Sequence, residues 1–330
     1  MISVERSYIL GGMTPAKTDS NTAIAQEILQ AFDDINSTQP GFRPAHAKGV
    51  LLAGRFTPSP GAASLTRAPH LKRSTTRVTV RFSDATGLPT IADGDPNASP
   101  RGMAIRFHLA DHVHTDIIAH SVDGFPARTA DEFLEMLRAI HASGPGAGSP
   151  MPIETFLATH PAALEFVQTP KPIPVSFLKE SFYAVNAYRF INASGMSQFG
   201  RYRIRPDGAN EYLDETASGK QAPNFLFDEI KEKLARGTAK MKIAVQVAAE
   251  EDAVNDSTVH WPKDRPEIEF GVIELMSELP SNDTEQQHII FDPIPRVDGI
   301  EPSDDPLLDP RAAIYLASGR RRRASVRREK

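Results

Sequence analysis

The chain has 330 residues, of which 40% are hydrophobic and 24% charged, enough to bury a large core as one big domain or two modest ones. A net charge of −5 and a pI near 6.1 provide no general attraction to nucleic acid or to an anionic membrane, although residues 320–330, RRRRASVRREK, are strongly basic. There is no cysteine, which excludes disulfides, thiolate metal ligation, iron–sulfur clusters and thiol-based redox chemistry.

The N-terminal stretch MISVERSYILGGMTPAKTDS carries Glu5 and Arg6 early and has no sustained apolar core, so it does not read as a secretory signal and a cytoplasmic location is the default expectation. Nor does any apolar run approach the roughly 20 residues that a bilayer requires. Residues 22–34 put Ile24, Ile28, Leu29 and Phe32 at helical spacing behind Asn21 as a cap. After the turn RPAHAKG, Gly49 to Phe56 reads as a buried strand. Arg77 to Phe82 alternates, with Val78, Val80 and Phe82 on one face and Arg77, Thr79 and Arg81 on the other. A loop over 84–101 leads to an alternating strand at 103–109 and a short one around Asp116 to Ala119.

Thr129 and Glu132 form a capping-box pattern ahead of a helix whose face is Phe133, Leu134, Leu137 and Ile140. The proline-punctuated stretch 161–174 holds a short helix around Ala162 to Phe166. Phe182–Ile191 and Gln198–Arg205 read as a strand pair, and Asn224 opens a helix that Gly237 ends. Lys242–Ala248 and Glu267–Met276 complete about eight strands. An antiparallel barrel closes that many strands without exposed edges, so the expected class is α+β, an eight-stranded barrel with helices packed outside.

Two short stretches point to chemistry. DPRAAIYLASGRRRR at 309–323 sets Arg311 four residues before Tyr315, one turn of a helix. An arginine there favours the phenolate, and a tyrosinate can hold haem iron. RPAHAKG at 43–49 sets His46 three residues after Arg43. Taken singly, the first also reads as a basic tail with one packed aromatic and the second as a turn histidine. In sequence order, RxxHAxG, VRFS at 80–83, PRGMAIRF at 100–107, GIEP at 299–302 and RxxxY resemble the haem catalases. The resemblance runs from about Phe42 to Arg323 and is patchy in the middle.

That resemblance implies the same barrel and a single haem-binding domain over residues 1–330, while the charge of residues from about 319 to 330 reads as a basic, solvated tail. It implies Tyr315 as proximal iron ligand, Arg311 as its charge partner, His46 as distal acid–base, and Ser83 as the serine that holds the histidine's tautomer. Arg43, Arg81 and Arg322 match the arginines that meet the haem propionates, with the run Arg320–Arg323 leaving the last assignment open by one residue. Phe133 is either an aromatic wall of the haem pocket or simple core. The cofactor is expected to be haem b, because a CxxCH attachment needs cysteine.

The family's distal asparagine falls in IIAHSVDGF at 117–125, where this chain has His120 and Ser121. Neither reproduces an amide, so oxidation of a second peroxide is expected to be impaired. The chain also ends 15 residues after Tyr315, whereas large catalases continue into further helices. These departures resemble the small catalase-related peroxidases. The implied function is reduction of hydrogen peroxide or organic hydroperoxides by a small organic donor, with weak or no catalase activity. His46 would assist heterolytic O–O cleavage, and the donor would return two single electrons. A true catalase, a lipid hydroperoxide isomerase or lyase and a non-catalytic haem-binding protein are the alternatives, in a monomer or homodimer. A metal site built from His108, His112 and His114 reads less well than solvent-facing turn histidines, because a fourth ligand is missing.

Overall fold

The computed structural model describes residues 15–328. Residues 1–14, most of the stretch read above for a secretory signal, lie outside the described residues. The chain opens with helix α1, Pro15–Asn36. It is longer than its apolar spacing suggested, and Asn21 is a buried residue within it, not its cap. Strand β1, Gly49–Pro58, is followed by the short α2, Ala62–Leu65, then β2, Thr76–Ser83, β3, Gly102–Ala110, and β4, Val113–His120. Three helices come next: α3, Ala130–Ala142, α4, Pro152–Thr159, and α5, Pro161–Gln168. The second half holds β5, Phe182–Tyr183, β6, Tyr188–Ile191, β7, Ser197–Pro206, α6, Glu215–Ser218, α7, Phe225–Arg236, β8, Ala239–Val247, and β9, Glu267–Glu278. It ends with α8, Asn282–His288, β10, Ile300–Pro302, and α9, Leu308–Arg328.

All strand pairings are antiparallel, and the order β7–β5–β4–β3–β2–β1–β9–β8 closes on itself through pairing of β8 with β7. Eight strands therefore make the expected barrel, while β6 and β10 extend from one end of β7. Alternation decides which residues fill it. Val78, Val80 and Phe82 of β2 and Met103, Ile105 and Phe107 of β3 point into a core that also holds Phe56, Phe177, Phe182, Phe190 and Phe270. Each of these phenylalanines is buried, which stabilises the barrel by about 2 kcal/mol per ring before packing gains. The rings interlock: Phe82 stacks on Phe177 at 5.1 Å, and Phe56 meets Phe107 edge-on at 5.1 Å.

Thr79, Arg81 and Ser83 necessarily take the opposite, outer face of β2. That face is covered by a helical layer in which Ile28 and Ala31 of α1, Ala130, Leu134 and Leu137 of α3, and Ile314 of α9 share one apolar cluster. The Thr129 cap is present, its hydroxyl accepting the N–H of Glu132 at 3.2 Å while the Glu132 carboxylate accepts the N–H of Arg128. The basic run read as a solvated tail instead continues α9. Arg322 is only 3% exposed, Arg321 pairs with Asp33 of α1 at 2.6 Å, and Arg323 donates to the carbonyl of His288 at 2.6 Å. Among the described residues, no helix is long and apolar enough to cross a membrane.

Candidate active site

Between the outer face of β2–β4 and the helices lies a cavity with roughly 1270 Å³ of unfilled space, mouth included. Its lining brings together His46, Ser83, Arg43, Arg81, Phe133, Arg311, Tyr315 and Arg322, every site residue the sequence singled out.

His46 sits in the turn before β1 with a left-handed backbone, φ 55°, a conformation uncommon for a residue with a side chain and frequent at working sites. Its Nδ1 lies 3.2 Å from Oγ of Ser83, the last residue of β2. Gly102, register partner of Ser83, makes that pair possible: a Cβ there would stand 2.5 Å from the Ser83 Oγ and 2.8 Å from the His46 Nδ1. Burial, reinforced by the charge of Arg81, pushes the imidazole down to about 4, so His46 is neutral at ordinary pH. A neutral ring with one nitrogen engaged by a serine is a base ready to accept a proton on the other.

Arg311 and Tyr315 lie one turn apart on α9, and a guanidinium N–H donates to the Tyr315 oxygen at 3.2 Å. The sequence reading missed what orients Arg311. The strand pair expected over 182–205 is broken between β5 and β6, and Asn186, in the gap, accepts a hydrogen bond from Arg311 and donates to Asp305 at 2.7 Å. Tyr315 thus ends a chain that runs back through Arg311 and Asn186 to a buried carboxylate.

The third feature is charge. Arg81 donates to the Gln286 side chain at 2.9 Å and to the His46 carbonyl at 2.8 Å. Arg43 and Arg322 both donate to the carbonyl of Ile289, at 3.2 Å and 2.9 Å. No carboxylate of a described residue pairs with any of the three. Burial and mutual repulsion hold Arg43 well below its ordinary value; burial and Arg322 bring Arg81 down to about 9. The Nε of Arg322 is buried with no partner. Gly49 allows the approach, because a Cβ there would fall 2.3 Å from an Arg81 nitrogen. Three confined cations lacking counter-charges describe a receptor for anionic groups such as carboxylates. Haem, flat and apolar with two propionates, fits this donor set, the Tyr315 oxygen and the aromatic walls.

Phe133 does both things the sequence left open: it packs against the core clusters of the helical layer and borders the cavity, with its ring 6.0 Å from Phe32 and 5.3 Å from Phe125. His120 and Ser121 part company. His120 lines the cavity, whereas the Ser121 hydroxyl accepts the N–H of Arg101 at 2.9 Å. The other histidines do not gather: His112 is exposed in the β3–β4 turn, His108 pairs across strands with His114, and its Nε2 meets Thr79 Oγ1 at 2.9 Å. Among the described residues no three potential ligands come together for a metal ion.

One cavity outside a closed antiparallel barrel thus gathers a tyrosine–arginine pair, a histidine–serine pair and three arginines that lack a carboxylate partner among the described residues. A family profile described as Catalase matches residues 23–329, and the chain belongs to that family, whose cofactor is haem. It is 36% identical over 315 residues to a catalase-related peroxidase of Mycolicibacterium paratuberculosis, covering 93% of this chain and 94% of that protein. A catalase-related peroxidase of Synechococcus elongatus is 27% identical, covering 88% of this chain and 86% of that one. The crystal structure of a fungal catalase superposes with a TM-score of 0.75 at 22% identity, over 98% of this chain and 65% of that chain.

Proposed function

We propose that this chain is a haem-dependent peroxidase that reduces hydrogen peroxide or an organic hydroperoxide with electrons from a small organic donor, with weak or no catalase activity. The observation that carries this reading is one cavity onto which His46–Ser83, Arg311–Tyr315 and three unpaired arginines converge. The match to two catalase-related peroxidases over most of their length supports peroxidase over catalase.

In this reading the cofactor is haem b, held without covalent attachment. Tyr315 offers its oxygen to the iron as phenolate, and Arg311, oriented by Asn186, stabilises the negative charge. Arg43, Arg81 and Arg322 take the propionates. When bound, the haem would supply the redox chemistry, giving two electrons to the peroxide in one step and recovering them one at a time from the donor. The chain's own work is proton transfer. His46 removes the proton from the hydroperoxide oxygen that will be retained and returns it to the oxygen that leaves, so that water or an alcohol departs instead of an anion. Ser83 keeps the ring facing the cavity, and the apolar wall of Phe32, Phe125 and Phe133 excludes bulk water.

The test measures peroxide-dependent oxidation of a phenolic donor and oxygen release side by side in the haem-loaded protein. Donor oxidation well ahead of oxygen release is the expected result. Rapid oxygen release that ignores the donor would contradict it.

A further inference from the structure

The loop over residues 84–101 is closed by its own two ends. Arg101 donates to the Asp84 carboxylate and to the Asp93 carbonyl, and the Asp84 and Arg101 side chains are wholly buried. Asp84 directly follows Ser83, and Arg101 directly precedes Gly102, the register partner of Ser83. The ion pair therefore ties the end of β2 to the start of β3, one residue from the two positions that meet the His46 imidazole. Neither side chain lines the cavity, so the pair stands behind the site and not in it.

Its surroundings keep the pair in place. Pairing continues past the strand ends, where the Asp84 N–H donates to the Lys48 carbonyl at 3.2 Å and the Arg101 N–H to the Ser121 hydroxyl at 2.9 Å. Lys48 donates to the Asp93 carboxylate and stands 3.9 Å from Oδ2 of Asp84, while Asp93 also accepts the N–H of Leu226 near the start of α7 at 2.7 Å. That Oδ2 is buried with no hydrogen-bond partner, so the Asp84 carboxylate is directed through Oδ1 and Arg101.

A buried ion pair contributes little net stability that apolar side chains of similar volume would not; what it adds is directional geometry. Here that geometry borders the closest contacts of the site. Ser83 Oγ is 3.2 Å from His46 Nδ1, and a Cβ on Gly102 would stand 2.8 Å from the same nitrogen. A small slip of β2 against β3 would break the hydrogen bond or crowd the ring.

We infer that Asp84 and Arg101 are positioning residues for peroxide reduction: their ion pair fixes Ser83 and Gly102 against each other and so holds the His46 imidazole toward the cavity. The inference rests on the role of His46 in the proposed function. The pair touches no substrate and acts through His46.

The test replaces the pair by apolar side chains, Asp84→Leu with Arg101→Met, which removes both charges together and strands neither. Measurement at pH 8 keeps the parent pair charged, because burial lifts the Asp84 carboxyl to about 7. The double variant is expected to keep the parental melting temperature and haem content, while kcat/KM for peroxide falls about tenfold to 100-fold and kcat/KM for a phenolic donor is unchanged. Nitrogen-15 spectra of the His46 ring in the haem-free chain give a readout without turnover: sharp signals from one ring state in the parent, shifted or exchange-broadened in the variant. Parental peroxide kinetics together with parental His46 signals in the double variant overturn the inference. Should that variant fail to fold, Asp84→Asn, which keeps the shape and an acceptor oxygen, is read in the same two ways. A chain that takes up no haem, yet whose His46 signals change in the variant, would overturn the reading of the cavity and leave the positioning of His46 standing.

Discussion

At the scale of single residues, the site depends on small distances. In the proposed mechanism His46 acts as a base, its charge removed by burial and its ring held by Ser83, so His46→Ala should lower donor oxidation about 100- to 10,000-fold while haem content is unchanged. A loss under tenfold would remove His46 from the mechanism. Gly102→Ala is the subtler test. Its methyl would displace Ser83 and His46 from each other, so peroxide turnover should fall with little change in the melting temperature. The motifs made His46, Ser83, Arg311 and Tyr315 legible in the sequence, because each lies within a few residues of its signature partner. Asn186 was not legible. It meets Arg311 from 125 residues away and sits where regular strand geometry fails, and nothing in its local sequence announces either fact.

At the scale of elements, alternation located the strands well, and Val78–Val80–Phe82 against Arg77–Thr79–Arg81 separated the barrel core from the outer face on which Arg81 lines the cavity. Helices were harder. Helix α4, which the sequence reading did not include, begins with Pro152 at its first position, where proline's fixed φ suits a helix start. The basic C-terminal run misled for a different reason. Charge suggested solvent, but the buried side of α9 spends Arg321 on Asp33 and Arg322 on the Ile289 carbonyl and the cavity. Arg322→Ala should therefore reduce haem occupancy after purification while circular dichroism of the apo-protein stays the same. Full haem content in that variant would show that Arg43 and Arg81 suffice.

At the scale of the whole molecule, burial of neutral histidines makes stability depend on acid. His70, packed among Phe56, Phe107 and Phe270 inside the barrel, is pushed down to about 3 by burial, as is His120, and His46 to about 4. An unfolded chain protonates each below about 6.5 and the folded chain does not, so stability is full above that pH and declines as pH falls. For His70 alone the decline is about 1.4 kcal/mol per pH unit between roughly 6.5 and 3. Asp84, raised to about 7 mainly by burial, acts in the opposite sense, since it is protonated in the folded chain before the unfolded one. His108 and His114 are lowered by burial too, and the carboxyls of Asp116 and Glu180 are raised by it, so five histidines oppose three carboxyls; the melting temperature should drop between pH 6.5 and 4, and His70→Leu should flatten that drop. A melting temperature that rises over the same range would contradict the assignment. The barrel itself was foreseeable from the strand count. Its closure through β7 and β8, and the placement of the cavity outside it, depend on pairings that only the folded chain displays.

In the proposed function Tyr315 holds a haem whose propionates meet Arg43, Arg81 and Arg322. The most direct measurement is the absorption spectrum of the protein from haem-supplemented cells beside that of Tyr315→Phe. A tyrosinate-type ferric spectrum is expected in the parent, altered or lost in the variant. Identical spectra with equal haem content, or a parent protein that takes up no haem, would contradict it.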